Sequence, residues 1–191
     1  MIYFKQEIDG RIYQSGIVVD KSKIPSGCVE CTKEEYNVAK NQDSMCIDGS
    51  GRVIPVSLLE LPNKLSNECH SAIISGIDVT LSDGTTEHFS LEETDQINLT
   101  TAFNVIQSGA TSYPYHADGQ ICRMYPAEDI IAIGNAATSH KLYHLTYYNH
   151  LIQWYKRAND IEELEMITYG AELPEDLAAN MMEVLANASA I

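Results

Sequence analysis

His140 and His144 stand four residues apart. On a helix that spacing puts two imidazoles on one face, where they can hold a divalent metal. The set is incomplete in sequence. Lys141 follows His140, so there is no HExxH, and His150 comes six residues after His144 at a different rotation. Glu128 and Asp129 lie more than two turns upstream. Aromatic packing and ordinary hydrogen bonding are therefore the expectation, and a metal-dependent hydrolase is the alternative. Cys28 and Cys31 form a CxxC, but Thr32 behind them is a helix cap, so the pair lies on an extended piece. A redox pair belongs at a helix start, where the field lowers a thiol pKa. Structural cysteines are expected, against redox chemistry or zinc with Cys46. His88 and His116 serve as general bases only where a reaction centre converges on them. The chain has no GxSxG and no phosphate-binding glycine loop. Asp83 and Asp118 read as turn residues, and the many glutamates as cap and surface residues. Two carboxylates facing one cleft would make a glycosidase, and spacing does not single out such a pair. Tyr143, Tyr147, Tyr148, Trp154 and Tyr155 offer amphipathic contact area, which is read as shared between core and protein interface.

The element that must position most of these groups runs from Pro126 to Ala158. Ile130, Ile133, Ala137, Leu142, Leu145, Tyr148, Leu151, Trp154 and Tyr155 recur at near-helical spacing. Pro126 suits the first helical position, Glu128 and Asp129 the first turn, and Lys156 and Arg157 the last. A continuous helix would be about 50 Å long. Gly134-Asn135 is the place for a break or bend.

Ahead of it, the chain alternates hairpins and helices. Met1 to Phe4 and Ile12 to Val19 read as strands joined through Asp9-Gly10, with Tyr13, Ile17 and Val19 as core. Thr32 and Glu35 form a capping box, with Tyr36 as the buried anchor of the helix they open. Met45 to Ile47 and Arg52 to Val56 flank Asp48-Gly49-Ser50-Gly51, a hairpin signal. Leu58 to Asn63 links to a helix through Ser75, with Leu65, Cys69, Ala72 and Ile73 inward and Gly76 at its end.

A duplication then shows. Ile77 to Leu81 and Thr86 to Phe89 flank Asp83-Gly84, and Ser90 with Glu93 caps a helix to Ser108 that packs through Ile97, Leu99, Phe103 and Ile106. Thr111 to Tyr115 and Gln120 to Met124 flank Asp118-Gly119, and the long helix follows at Pro126. The Asp-Gly pairs lie 35 residues apart. Two copies are too few for a solenoid, so a compact unit is expected. A short helix over Ile161 to Ile167 and a terminal helix from Pro174 complete the chain. The terminal helix carries Leu177, Met181, Val184 and Leu185 on one face. That stripe docks on the body, or pairs with a second copy or another assembly protein.

The totals bound partners. The 191 residues are 45% hydrophobic, enough for one good core or two small units. The formal charge is -15, and after Arg157 there are acidic residues but no lysine or arginine. Such a surface disfavours nucleic acid and anionic membrane. No apolar run is long enough to span a bilayer, and MIYFKQEIDG turns polar too soon for a signal peptide. Five scattered cysteines fit a reducing compartment better than a disulfide framework.

Three stretches carry a family resemblance: GIDVTLSDGTTEHFSLEETDQINL, ATSYPYHADGQICRMYPAEDI and YHLTYYNHLIQW. Phe89, Asp95, Gln96, Asn98 and Leu99 carry the first, and Tyr115, His116 and Asp118 the second. Over about residues 64 to 169 the chain resembles the phage tail-region family called domain of unknown function 4376. IPSGCVECTKEEYN resembles the leading segment of small proteins encoded near phage tail fibres, some of them fibre-assembly proteins. The resemblance implies a role in a phage tail, baseplate or related contractile particle, and no established catalytic residue.

The expectation is an α+β protein of short antiparallel hairpins packed on helices. Its parts are 1–60, a duplicated hairpin-helix domain at 61–170, and a C-terminal amphipathic helix at 171–191. It is a noncatalytic adaptor or attachment protein, made in the bacterial host cytoplasm and placed in a virion tail or tail-like particle. It binds tail fibre or baseplate proteins or a copy of itself, without nucleic acid, membrane, metal or cofactor. Tyr115, His116, Tyr147, Trp154, Leu177, Met181 and Leu185 are the expected interaction positions. The alternatives are a fibre-assembly chaperone absent from the mature particle, a tail-tip carbohydrate-binding module using Tyr113, Tyr115, His116 or Trp154, and the metal-dependent hydrolase.

Overall fold

The computed structural model describes residues 1–42, 44–49 and 51–188. The chain folds into two compact units, Met1–Asn63 with Ala158–Met166, and Lys64–Arg157 with Ile167–Ile191. These limits differ from the three expected parts. The short helix α6 (Ile161–Met166) belongs to the first unit and the C-terminal helix to the second. The fold class is the mixed α+β expected, with short antiparallel hairpins and one long helix.

In the first unit, Asp9 (φ 50°) and Gly10 (φ 78°) make the two-residue turn between β1 (Ile2–Ile8) and β2 (Arg11–Val18). Two positive φ angles match the twist of paired strands. Gln6 pairs with Gln14 but Glu7 pairs with Ile12, which leaves Tyr13 as an extra residue in the ladder. Such a bulge slips the period-two alternation. Hence Ile12 is buried where Tyr13 was expected. Ile17 and Val19 are exposed, not core, and Phe4 is buried in their place. Phe4 lies over Gly16, where a Cβ would come within 2.5 Å of its ring. β3 (Val29–Cys31) pairs with β1, giving the order β2-β1-β3. Thr32 and Glu35 form the capping box of α1 (Lys33–Ala39). Tyr36 is only half-buried, its ring tilted against that of Tyr3 at 5.2 Å, and Ala39 is the buried residue of α1.

β4 (Met45–Ile47) and β5 (Val53–Pro55) form the next hairpin. Its turn includes Ser50, which lies outside the described residues. Asp48 accepts from the Arg52 backbone at 2.9 Å and pairs with its guanidinium, which also donates to the Ala158 carbonyl at 2.9 Å. That bond holds the returning segment to the first unit. The expected linker is partly helical, as α2 (Val56–Leu59).

In the second unit, α3 (Leu61–Ile74) leads through Gly76 into β6 (Ile77–Thr80) and β7 (Thr86–Phe89). Gly76 has φ +86°, and a Cβ there would lie 2.2 Å from the Phe89 carbonyl oxygen. Only glycine fits so close an approach. Helix α4 (Glu93–Gln107) starts after Glu92, not at Ser90. Ser90 and Leu91 are used elsewhere: the Ser90 amide donates to Asp118, the Leu91 amide to the Ile74 carbonyl, and the Ser90 hydroxyl to Asp95. Leu99, Ala102 and Ile106 are buried, whereas Ile97 is exposed.

β8 (Ser112–Tyr115) pairs with β9 (Arg123–Pro126), so the second strand starts three residues later than expected and Pro126 ends it instead of opening the helix. The cause is Asp118, whose amide donates to the His88 carbonyl at 2.9 Å. The turn thus bonds to the first hairpin rather than closing its own ladder.

Helix α5 (Ala127–Arg157) is continuous for 31 residues, about 47 Å, through Gly134 and Asn135. Gly134 is buried where a Cβ would approach the Phe103 ring at 2.9 Å, so it serves the close crossing with α4. Leu145 is exposed. Phe89, Tyr115 and Tyr125 meet at 6.0 to 6.4 Å among Val79, Leu91, Leu99, Ile130 and Ile133 in the core. Helix α7 (Glu175–Ala188) packs on α5, with Met181 buried and Val184 exposed; the expected helix extends past it to residues 189–191, outside the described residues. No helix among the described residues is long and apolar enough to cross a membrane.

Candidate functional site

Helix α5 brings its two spaced histidines together, with rings 4.5 Å apart at 70°. Each has a partner. His140 Nε2 lies 2.9 Å from the Ala72 carbonyl, so it carries the proton and donates. His144 Nδ1 lies 2.7 Å from the Tyr169 hydroxyl. Burial pushes the Tyr169 phenol well up, so it stays protonated and donates to Nδ1. That bond assigns His144 as the Nε2–H tautomer. Burial, and then His140, hold His144 below the usual imidazole range, so it is neutral at pH 7. Cys69 adds a thiol bond to the His144 carbonyl at 3.4 Å. Among the described residues no three His, Cys, Asp or Glu side chains stand together as a metal site.

One turn on, Tyr147 secures the segment after the short helix. Its hydroxyl donates to the Ala171 carbonyl at 2.6 Å and accepts from the Gly170 amide at 2.9 Å. Tyr143 lies parallel to Tyr147 at 6.2 Å, and Tyr169 meets Tyr147 edge-on at 5.3 Å. These rings, with Glu172, Met181 and Met182, line an open cavity of about 630 Å³. A second groove, about 460 Å³, runs along α4 and α5 over Leu99, Phe103 and Leu142, with Lys141 on its edge.

The residues of the family motif hold the start of α4. Asp95 accepts from the Ser90 hydroxyl, and Gln96 donates to the Leu91 carbonyl at 2.8 Å while its oxygen takes Lys141 at 2.6 Å. The Tyr115 hydroxyl points at the Asp95 carbonyl, 3.4 Å away, and burial pushes that phenol up to about 12. His88 lies between Asp78 at 2.7 Å and the Ser75 carbonyl at 2.8 Å. Both are acceptors, so the geometry suits the doubly protonated ring, and the Asp78 hydrogen bond raises its pKa. Burial raises the Cys28 and Cys31 thiols, the reverse of an activated thiolate, and all five cysteines are free.

The expected interaction residues divide. Tyr115, Tyr147, Trp154 and Met181 are buried, which for Tyr147 and Trp154 is the core half of their expected shared role and for Tyr115 and Met181 takes most of the side chain out of reach of a partner. His116 is exposed beside Tyr115, while Leu177 and Leu185 are half-buried. Three of them, Tyr147, Met181 and Leu185, line the tyrosine cavity from α5 and α7. Tyr169 and Glu172 complete that cavity, whereas in sequence Tyr169-Gly170 reads only as the close of the short helix and Glu172 as one of the many surface glutamates. Their only local signal was Tyr-Gly beside a proline-capped helix, a pattern common to many turns. His150 was noted only for its rotation. It is buried, bonding Thr146 and Asn180 at 2.7 and 3.0 Å, and so fastens α7 to α5.

The arrangement defines an α+β protein in which two hairpins and their helices make one core, beside a tyrosine- and methionine-lined cavity. Residues 60–168 match the family described as Domain of unknown function (DUF4376), and the chain belongs to that family. No curated protein and no solved structure matches it.

Proposed function

We propose that this chain is a noncatalytic, protein-binding component of a phage or prophage tail, acting as a structural adaptor on a fibre or baseplate protein. One observation carries the noncatalytic part. Four of the groups that chemistry could use are engaged in holding the fold: His140 on Ala72, His144 on Tyr169, His88 on Asp78, and Asp118 on Ser90. The link to a tail rests on the resemblance of the three quoted stretches. The acidic composition favours a partner of opposite charge.

Mass spectrometry of purified particles tests the adaptor. The chain is expected at a fixed stoichiometry with a fibre or baseplate protein. Its absence from particles, with capture on unassembled fibre, would instead make it an assembly chaperone. Of the aromatic residues offered for glycan binding, Tyr115 and Trp154 are buried, which argues against that alternative.

A further inference from the structure

The cavity between the middle of α5 and α7 has a chemical character of its own. Tyr143, Tyr147 and Tyr169 line it together with Met181, Met182 and Glu172. Its volume, about 630 Å³, is that of a ligand site. The hydroxyls of Tyr147 and Tyr169 are bound to Ala171 and His144, which fixes both rings. Tyr147 and Met181 lie buried in the wall beside Leu173 and Leu185, so the Tyr143 face, the Met182 thioether and the Glu172 carboxylate are what remain for an occupant. His144 is held neutral by burial, so it brings no positive charge at pH 7. No lysine or arginine occurs beyond Arg157, and the segment that closes the cavity carries Glu172, Glu175, Asp176 and Glu183. Arg157 itself is paired with Asp176. On the rim, Tyr143 is 47% and Met182 72% exposed, a large apolar surface left open to contact.

We infer that this cavity receives an arginine side chain of the partner protein, together with an apolar neighbour. A guanidinium is planar and weakly hydrated, stacks on tyrosine faces, and can pair with a carboxylate such as Glu172. The methionines, flexible and polarisable, fit the apolar neighbour. The inference rests on the protein-binding reading and adds the chemistry of the contact.

The test uses the full chain carrying 13C-methyl methionine, titrated with the peptide acetyl-Leu-Arg-Leu-Arg-Leu-amide. The Met181 and Met182 methyl signals are expected to shift, and the citrulline analogue to bind at least tenfold more weakly. Tyr143→Ala and Glu172→Gln, both at exposed positions, are each expected to weaken binding fivefold or more with an unchanged circular dichroism spectrum. Equal binding by citrulline would reduce the cavity to an apolar groove. Equal binding by the lysine analogue would remove the preference for guanidinium. Absence of shifts at millimolar peptide, or indifference to both substitutions, would also overturn the inference. Methyl shifts that disappear on dilution of the free chain would assign the cavity to a second copy. Particle mass spectrometry reads the adaptor role independently. Peptide failure with tail membership sinks only this inference, and peptide binding without tail membership sinks only the tail role.

Discussion

The two hairpin-helix copies share an order of elements but not a division of labour. The first hairpin closes tightly: the Leu81 amide bonds to the Thr85 carbonyl, and Asp83 accepts from the Thr85 amide at 2.9 Å. The second opens into a loop whose Asp118 reaches the end of the first, through its amide to His88 and its carboxylate to Ser90. Their helices differ in the same way. In α4 the first-turn acid Asp95 bonds Ser90, five residues before it. In α5 the first-turn acid Asp129 is buried and accepts from the Ser82 amide at 2.7 Å, across 47 residues. The first copy is built from local bonds, and the second locks onto it. A duplicated pattern can therefore yield one core instead of two repeats, because the later copy spends its polar groups on the earlier one.

The glycines that enter the hairpins give the sharpest way to break the comparison. Gly76→Ala brings a Cβ against the Phe89 carbonyl and is expected to destabilise by about 3 kcal/mol or more in urea unfolding. Gly109→Ala has the same left-handed constraint, with φ +103° but open space around it, and should cost about 1–2 kcal/mol. Equal losses would mean that backbone angle sets both costs and that close approach does not distinguish the copies.

Asp129→Ala strips the Ser82 amide of a buried charged acceptor, with an expected loss of about 2 kcal/mol. Asp118→Ala removes the half-exposed equivalent and should lose about 1 kcal/mol. A double-mutant cycle that finds the two additive would show two separate locks; coupling would show one.

The smallest effect is on pH dependence. The His88 pKa is raised in the folded state, chiefly by Asp78, so its stabilisation is complete below the ordinary imidazole value of about 6.5 and is lost as pH rises through the folded value. Both side chains are substantially exposed, so solvent screens much of it. Unfolding free energies should decline slightly on the alkaline side of pH 6.5, and His88→Gln should flatten that decline. His116→Gln, in the second copy, should leave it in place.

Much of the architecture was legible because it follows from local rules. The capping box at Thr32, the Asp9-Gly10 turn, Gly76 and the span of the long helix all depend on a few adjacent residues and their backbone preferences. Errors arose where a distant partner intervened. Ser90 looked like a helix cap until Asp118 and Asp95 claimed it, and Tyr13 looked like core until a bulge slipped the strand. The candidate site is half legible: Tyr147, Met181 and Leu185 read as interaction positions, but nothing in their spacing joins them in one cavity. Their cavity exists only because the 167–173 segment runs beside α5, a placement made by bonds from Tyr147 and His144.

Sequence by itself determined an acidic α+β chain, its hairpins, its long helix and its family, since composition, turn chemistry and periodicity act over short range. Tertiary structure alone decided which aromatic residues are core, that the histidines are hydrogen-bonding struts, and where the tyrosines of α5 meet the one that follows α6. Those outcomes depend on hydrogen bonds and packing between residues far apart in the chain, whose pairing no spacing rule encodes.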